Sequence, residues 1–187
     1  MCLKAFKNAY RFCNPYRVCK QFFKSRGEQE VHVYGETPFR VFAKIAVECG
    51  LNQNDVLFEL GCGRGLGTFF LSHLTGCRSV GIDWVPKFIH IAQKIAVSIP
   101  DLQVSFYCSR MEDFDFSNAS VIYLYGTCLP DGVIETLTAK FPSNARVITV
   151  SYQLSDYNSR FRTVKQFSAC FPWGETDIYI NRSGTTQ

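Results

Sequence analysis

The sequence VLFELGCGRGLG occupies residues 56–67, and GIDW follows at residues 81–84. The apolar run 56–60 is typical of a short buried strand, and glycines follow it at once. In an open α/β sheet, ligands bind beyond the carboxyl ends of the strands, at the point where the strand order reverses. We therefore expect a ligand site at the end of this strand, where the next helix also presents its N-terminus.

The spacing of the glycines indicates which kind of ligand is bound. A dinucleotide fingerprint, G-x-G-x-x-G/A, requires a small residue at position 66, where this chain has Leu66. The chain instead has G-x-G-x-G, preceded by Glu59, and Asp83 ends the second strand, where it can accept hydrogen bonds from a ribose diol. The glycines are Gly61, Gly63 and Gly65. A nucleoside that carries a sulfonium amino acid fits this pattern better than a pyrophosphate.

Strands and helices alternate on both sides of the glycines. The predicted strands are 56–60, 78–83, 104–108, 119–125 and 145–152, with a hairpin over 163–182. The predicted helices are 39–49, 68–74, 86–97 and 133–140. Alternation of this kind favours a parallel sheet with right-handed crossovers. The sequence thus predicts a doubly wound α/β fold, with a mostly parallel seven-stranded sheet, helices on both faces and a C-terminal antiparallel hairpin.

The first 30 residues form a separate segment, which we call the basic extension. They predict one or two helices interrupted at Pro15, and residues 1–26 hold seven of the 20 basic residues but no acidic one. Three interpretations stay open: a solvated helix face packed on the domain through Phe6, Tyr10, Phe22 and Phe23, a docking surface for an acidic protein or nucleic acid, or an amphipathic segment on anionic lipid. We expect a basic extension or lid over 1–30 and the main domain over 31–187.

The composition excludes several classes of protein. The chain has 187 residues, of which 47% are hydrophobic and 15% aromatic, so it is not disordered. It has no apolar run of the roughly 20 residues that span a bilayer. Arg11, Arg17 and Lys20 interrupt the apolar residues near the start, so we expect no secretory signal. Nine cysteines without a C-x-x-C pair predict buried free thiols in a reducing compartment, and hence a cytoplasmic protein. Three scattered histidines predict no metal site.

The stretch Glu59–Gly65 and the stretch Gly81–Trp84 resemble the class I, seven-strand S-adenosylmethionine-dependent methyltransferases, over roughly residues 31–182. The resemblance implies S-adenosyl-L-methionine as the cofactor. It places the turn of Gly61, Cys62, Gly63 and Gly65 around the amino-acid and ribose parts of the cofactor, with Glu59 near the amino group. Asp83 would bind the ribose hydroxyls. Trp84 would lie against adenine, with Met111 and Glu112 as its neighbours.

A narrower resemblance concerns residues 33–38, VYGETP, about 20 residues before the first strand. This loop is similar to one in the non-SET protein-lysine methyltransferases, which include histone-lysine enzymes and small enzymes that methylate the ATP synthase c-subunit. The resemblance implies that Tyr34 and Thr37 contact the methionine part of the cofactor. The stretch 121–130 resembles the second group, whereas the histone enzymes carry asparagines where this chain has Tyr125-Gly126-Thr127.

The segment after the fourth strand limits the choice of methyl acceptor. The Asp/Asn-Pro-Pro-Tyr motif of base amino methylation is missing there, and only about ten residues separate the fifth strand from the hairpin, so no large cap is inserted. An open groove suits a macromolecular acceptor, and the resemblance to the lysine methyltransferases implies a protein lysine. Tyr125 and Thr127 are the candidate catalytic residues, Tyr125 and Tyr152 could form an aromatic channel, and Glu36 is a candidate base. Nucleic acid, a small molecule or an inactive binding module are the alternatives.

Overall fold

The computed structural model describes residues 3–27 and 34–184. The predicted end of the basic extension at residue 30, the extended start of the following loop at 31–33, and Cys2 lie outside the described residues. The helices are α1 (Leu3–Ala9), α2 (Pro15–Ser25), α3 (Phe39–Cys49), α4 (Leu66–Thr75), α5 (Pro86–Val97) and α6 (Asp131–Lys140). The strands are β1 (Val56–Leu60), β2 (Arg78–Asp83), β3 (Val104–Cys108), β4 (Val121–Leu124), β5 (Arg146–Val150), β6 (Phe161–Phe171) and β7 (Gly174–Ser183).

The seven strands form one sheet in the order β3-β2-β1-β4-β5-β7-β6. Strands β1 to β5 are parallel, and β7 pairs antiparallel with both β5 and β6. Apolar helix faces cover both sides of this sheet, because one core cluster joins it to α3 and another joins it to α6. The predicted fold is confirmed, and the strand order reverses at β1, between β2 and β4.

Several element boundaries differ from those expected. Helix α4 begins at Leu66, two residues before the predicted start, because Gly65 in the left-handed conformation (φ 78°) already turns the chain into the helix. Helix α6 begins at Asp131, directly after Pro130. The predicted fifth strand ends early at Val150, since Ser151 has a positive φ of 72°. These differences in where helices and strands begin and end depend on backbone turns, which the hydrophobic pattern does not predict.

Helices α1 and α2 pack against the domain. The start of α2 at Pro15 is favoured by Asn14, whose side chain accepts a hydrogen bond from the Arg17 N–H at 3.3 Å. Phe6 meets the edge of Phe69 at 5.1 Å, and Phe23 is buried. The apolar side of α1 and α2 thus covers the domain, while the basic side chains described between Lys7 and Arg26 remain exposed. Within the described ranges, none of the helices is long and apolar enough to cross a membrane.

The expectation of buried thiols is wrong at three positions. Cys19, Cys49, Cys62 and Cys77 are buried, whereas Cys108, Cys128 and Cys170 are exposed. Cys108 ends β3 and Cys170 lies on β6, the two strands at the edges of the sheet, and Cys128 lies in the segment after β4. Alternate residues of a strand point to opposite faces, so an apolar run does not determine which side each thiol occupies.

Candidate active site

The residues 61–65, which we call the glycine turn, carry the chain from β1 into α4. The N–H groups of Gly61 and Cys62 both donate to the carbonyl of Ile82 at 2.9 Å, which ties the turn to β2. Gly63 has a φ of 53°, and a Cβ there would lie 2.9 Å from the Tyr34 ring. Only glycine fits this backbone and this close approach without strain.

Asp83 lies opposite the glycine turn, at the end of β2. Its carboxylate accepts hydrogen bonds from the N–H groups of Gly63 and Val85, both at 2.8 Å. Burial raises the pKa of Asp83 to about 6, and these two N–H groups partly offset that rise. Each carboxylate oxygen has a second lone pair, so the group can accept further hydrogen bonds from a ligand hydroxyl.

A first cavity, of about 280 Å³, opens at the carboxyl ends of β1, β2 and β4. Among the predicted site residues, it is lined by Tyr34, Gly61, Gly63, Asp83, Trp84, Met111, Glu112, Tyr125 and Thr127. Sequence reasoning missed, among others, the two lining residues that come from α2, Cys19 and Phe23. The helical spacing of Phe23 indicated a packed face but not which part of the domain it covers.

Trp84 joins the wall of the first cavity to the basic extension. The edges of Phe22 and Phe23 contact its indole, with ring centroids 5.4 and 5.8 Å away. The guanidinium groups of Arg26 and Arg110 lie over the same indole, at 4.8 and 4.6 Å from its centroid. Trp84 therefore lines the cavity and also anchors α2 beside it.

Glu59 lies beneath the glycine turn and outside the lining of the first cavity. Its Oε2 accepts a hydrogen bond from the Thr68 hydroxyl at 2.5 Å. A Cβ on Gly67 would clash with its Oε1, so the carboxylate packs closely against the start of α4. Burial raises the pKa of Glu59 to about 7. The expected contact with a cofactor amino group stays a prediction.

Cys62 and Gly65 also face away from the first cavity. The Cys62 side chain is buried in the core cluster around Phe69 and Phe106, and its Sγ lies 2.9 Å from where a Cβ on Gly81 would stand. A Cβ on Gly65 would clash with the Phe106 ring. Both residues shape the glycine turn through its packing rather than by lining the cavity.

A second cavity, of about 710 Å³, adjoins the first. The two cavities share Tyr34, Gly35, Tyr125, Thr127 and Cys128. The further lining of the second cavity includes the aromatic residues Tyr16, Phe39 and Trp173, together with Glu36 and Thr37. Thr37 is thus placed in the second cavity, where its hydroxyl forms a hydrogen bond with the Tyr123 hydroxyl at 2.6 Å.

The aromatic neighbours of Tyr125 differ from those expected. Phe171 and Trp173 of the β6–β7 hairpin lie 6.1 and 5.8 Å from its ring. The expected channel between Tyr125 and Tyr152 is wrong, because Tyr152 lines neither cavity and instead packs under Gly126, where a Cβ would lie 2.5 Å from its hydroxyl. The hairpin contact joins residues about 45 positions apart, which no local pattern reveals.

Glu36 is paired rather than free to act as a base. The Arg64 guanidinium binds both of its carboxylate oxygens, each at 2.6 Å, and the Tyr34 hydroxyl donates to Oε1 at 2.5 Å. Sequence reasoning missed Arg64, although its position between two glycines of the turn was a signal that its side chain lies near the site. It also missed Tyr123, the partner of Thr37.

Comparison with known proteins relates this site to methyltransferases. A sequence model of the family described as "Histone methylation protein DOT1" matches residues 23–125, more than half of the chain. No curated protein matches the chain.

Solved structures share the fold at low sequence identity. An RNA methyltransferase from Salinibacter ruber, in complex with S-adenosyl-L-homocysteine, is 23% identical over 82% of this chain and 95% of its own, with a TM-score of 0.65. Magnesium protoporphyrin IX methyltransferase from Synechocystis PCC 6803, with bound S-adenosylmethionine, is 16% identical over 91% of this chain and 98% of its own, with a TM-score of 0.61. A mutant of MtNAS in complex with S-adenosylmethionine is 13% identical over 97% of this chain and 72% of its own, with a TM-score of 0.68.

The family match covers the loop before α3, the glycine turn, Asp83 and β4, and so includes most of the residues that line the first cavity. These similar folds and this match agree with the resemblance that the glycine turn and Asp83 imply. The chain belongs to the DOT1 family of histone methylation proteins, and with it to the class I S-adenosylmethionine-dependent methyltransferases.

Proposed function

We propose that this S-adenosylmethionine-dependent methyltransferase transfers its methyl group to a lysine side chain of a protein. The observation that carries the proposal is the junction of the two cavities, where five residues line both. One cavity can hold the cofactor while the other admits a side chain from outside. The residues that line both cavities then surround the point at which the methyl group is transferred.

The first cavity fits the cofactor. Asp83 accepts hydrogen bonds from ribose hydroxyls, since its oxygens have lone pairs beyond those used by Gly63 and Val85. The bare backbone of Gly61 and Gly63 allows close approach of the amino-acid part, and Trp84, Met111 and Glu112 lie beside adenine. Glu59, Cys62 and Gly65 support the turn from beneath, and Tyr34 and Thr37 stand at the methionine end.

The second cavity suits an amine that must lose its charge. S-adenosylmethionine supplies a sulfonium methyl group, which a neutral amine takes by in-line displacement. A free lysine has a pKa near about 10.4, and desolvation among aromatic rings lowers that pKa. Tyr16, Phe39, Tyr125 and Trp173 supply such rings.

Tyr125 and Thr127 are the proposed catalytic residues at the junction. Burial raises the pKa of Tyr125, and a hydrogen bond from Thr127 partly offsets that rise. Tyr125 therefore stays protonated at neutral pH, and the two hydroxyls orient the acceptor amine. Most of the rate enhancement then comes from alignment and the exclusion of water.

The basic extension, residues 1–30, acts as a lid on the catalytic domain, residues 31–187. Cys19 and Phe23 line the first cavity and Tyr16 lines the second, so α2 closes both. Its exposed residues Arg17 and Lys20 face an acidic surface of the acceptor protein or another anionic surface. The same exposed basic side chains favour RNA as a second candidate acceptor.

Methyl transfer into a cell extract tests the proposal. The protein is incubated with methyl-labelled S-adenosylmethionine and extract, and the products are divided into samples treated with protease or with ribonuclease. The proposal predicts label that protease releases and that amino-acid analysis recovers as methyl-lysine, with a much lower yield for Asp83→Ala. Label released by ribonuclease would show that the acceptor is RNA and contradict the protein-lysine proposal. Bound cofactor with no transfer to any extract would indicate a binding module.

A further inference from the structure

Arg64 lies between Gly63 and Gly65, the last two glycines of the glycine turn. Its Nε and Nη2 atoms donate to the two carboxylate oxygens of Glu36, each at 2.6 Å. This fork-to-carboxylate geometry gives direction as well as charge, and lysine cannot reproduce it. Burial lowers the pKa of Arg64, but the hydrogen bonds and charges of Glu36 and Tyr34 together raise it by more, so the guanidinium stays charged.

The same guanidinium holds Tyr34 in place. Its Nε lies 3.3 Å from the Tyr34 hydroxyl, which in turn donates to Glu36 at 2.5 Å. The Tyr34 ring packs over Gly63 and lies 5.3 Å from the Phe88 ring. Arg64, Glu36 and Tyr34 thus form one network that spans the glycine turn and the loop 34–38.

The basic extension joins this network through Tyr10. The Arg64 guanidinium lies over the Tyr10 ring, 4.8 Å from its centroid, and Tyr10 is itself buried. Tyr16 of α2 meets the edge of the Tyr34 ring at 5.2 Å. One cation of the glycine turn therefore contacts two other parts of the chain: the turn after α1 and the loop 34–38.

We infer that Arg64 is a positioning residue, which couples the glycine turn to the loop at the junction of the two cavities. The inference rests on the proposed function of the first cavity. The Arg64 backbone belongs to the turn that lies around the cofactor, so a ligand that fixes this turn also fixes the guanidinium. The guanidinium then fixes Glu36 and Tyr34, and with them the wall that faces the acceptor.

A double-mutant cycle tests the coupling. Calorimetry would give the affinity for S-adenosylhomocysteine of the wild type, Arg64→Ala, Glu36→Ala and the double variant. We expect each single variant to bind about tenfold more weakly, and the double variant to bind no more weakly than either, because the two residues act as one unit. Losses that multiply in the double variant would overturn the inference. Arg162→Ala is the matched control, since Arg162 is exposed on the edge strand β6.

Amide hydrogen exchange separates positioning from general stabilisation. S-adenosylhomocysteine should slow the exchange of residues 34–38 in the wild type, and this protection should be lost in Arg64→Ala while that of α5 persists. Arg64→Lys should restore only part of it, because the fork is missing. Full protection in Arg64→Ala would contradict the inference. Failure of the wild type to bind would instead contradict the proposed function.

Discussion

At the scale of single residues, Glu59 is an acid in an unusual electrostatic environment near the site. It is buried, and its carboxylate accepts a hydrogen bond from the hydroxyl of Thr68, which is neutral. Burial raises its pKa to about 7, above the ordinary value of 4.5. The folded protein therefore binds more protons than the unfolded chain between these pH values, so the free energy of unfolding decreases as pH rises through this window.

Glu59→Gln should remove this dependence on pH. The amide oxygen can still accept from Thr68, but the side chain no longer has a charge to bury. We expect the stability of the wild type relative to the variant to fall by about 1–3 kcal/mol between pH 5 and pH 8. Chemical denaturation at several pH values measures it. Parallel curves for the two proteins would contradict the raised pKa.

Gly63 tests how closely the glycine turn approaches the loop 34–38. Gly63→Ala places a methyl group 2.9 Å from the Tyr34 ring, at a φ of 53°. We expect a loss of about 1–2 kcal/mol in stability from the backbone strain, and weaker binding of S-adenosylhomocysteine because Tyr34 is displaced. Gly132→Ala in α6 is the control, since nothing lies within 4 Å of its added Cβ. Equal effects of the two variants on binding would contradict the close approach.

At the scale of secondary structure elements, α2 is the part of the proposed lid whose residues Cys19 and Phe23 line the first cavity. Phe23→Ala removes a buried ring from the cavity wall. We expect dissociation of S-adenosylhomocysteine to become about tenfold faster, which corresponds to about 1.4 kcal/mol, as measured by stopped-flow fluorescence. Phe12→Ala is the matched control, because Phe12 is 93% exposed. An unchanged dissociation rate in Phe23→Ala would show that α2 does not close the cavity.

The elements themselves were largely predictable from sequence. Helices 39–49 and 86–97 have the predicted bounds, because glycine, proline and apolar periodicity mark their ends and their faces, and the strand 104–108 also has the predicted bounds. The parallel arrangement of β1 to β5 also followed from the alternation of strands and helices. The exposure of Cys108 and Cys170 was not predictable, since it depends on which strands lie at the edge of the sheet.

The site was predictable where a motif, a resemblance or the end of a strand marks its residues. The glycine turn and Asp83 follow directly from the ends of two adjacent strands. Trp173 beside Tyr125, and Phe23 in the first cavity, depend on how the hairpin and the extension pack onto the domain. These contacts join distant parts of the chain and arise from tertiary packing, which local propensity does not encode.

At the scale of the whole molecule, an element near the N-terminus and an element near the C-terminus meet at one site. Helix α2 contributes Tyr16, and the β6–β7 hairpin contributes Trp173. Both line the second cavity, which the parallel sheet alone would leave open. In the proposed function, the sheet provides the cofactor site, and the terminal elements provide the surroundings of the acceptor.

A calorimetric titration of the wild type and of Asp83→Ala with S-adenosylhomocysteine decides whether the first cavity is the cofactor site. We predict micromolar binding by the wild type and a loss of about 100-fold or more in the variant, because each hydrogen bond to a charged group contributes roughly 1.5–3 kcal/mol. Equal affinities for the two proteins, or no binding by folded wild type, would contradict the assignment of the first cavity to the cofactor.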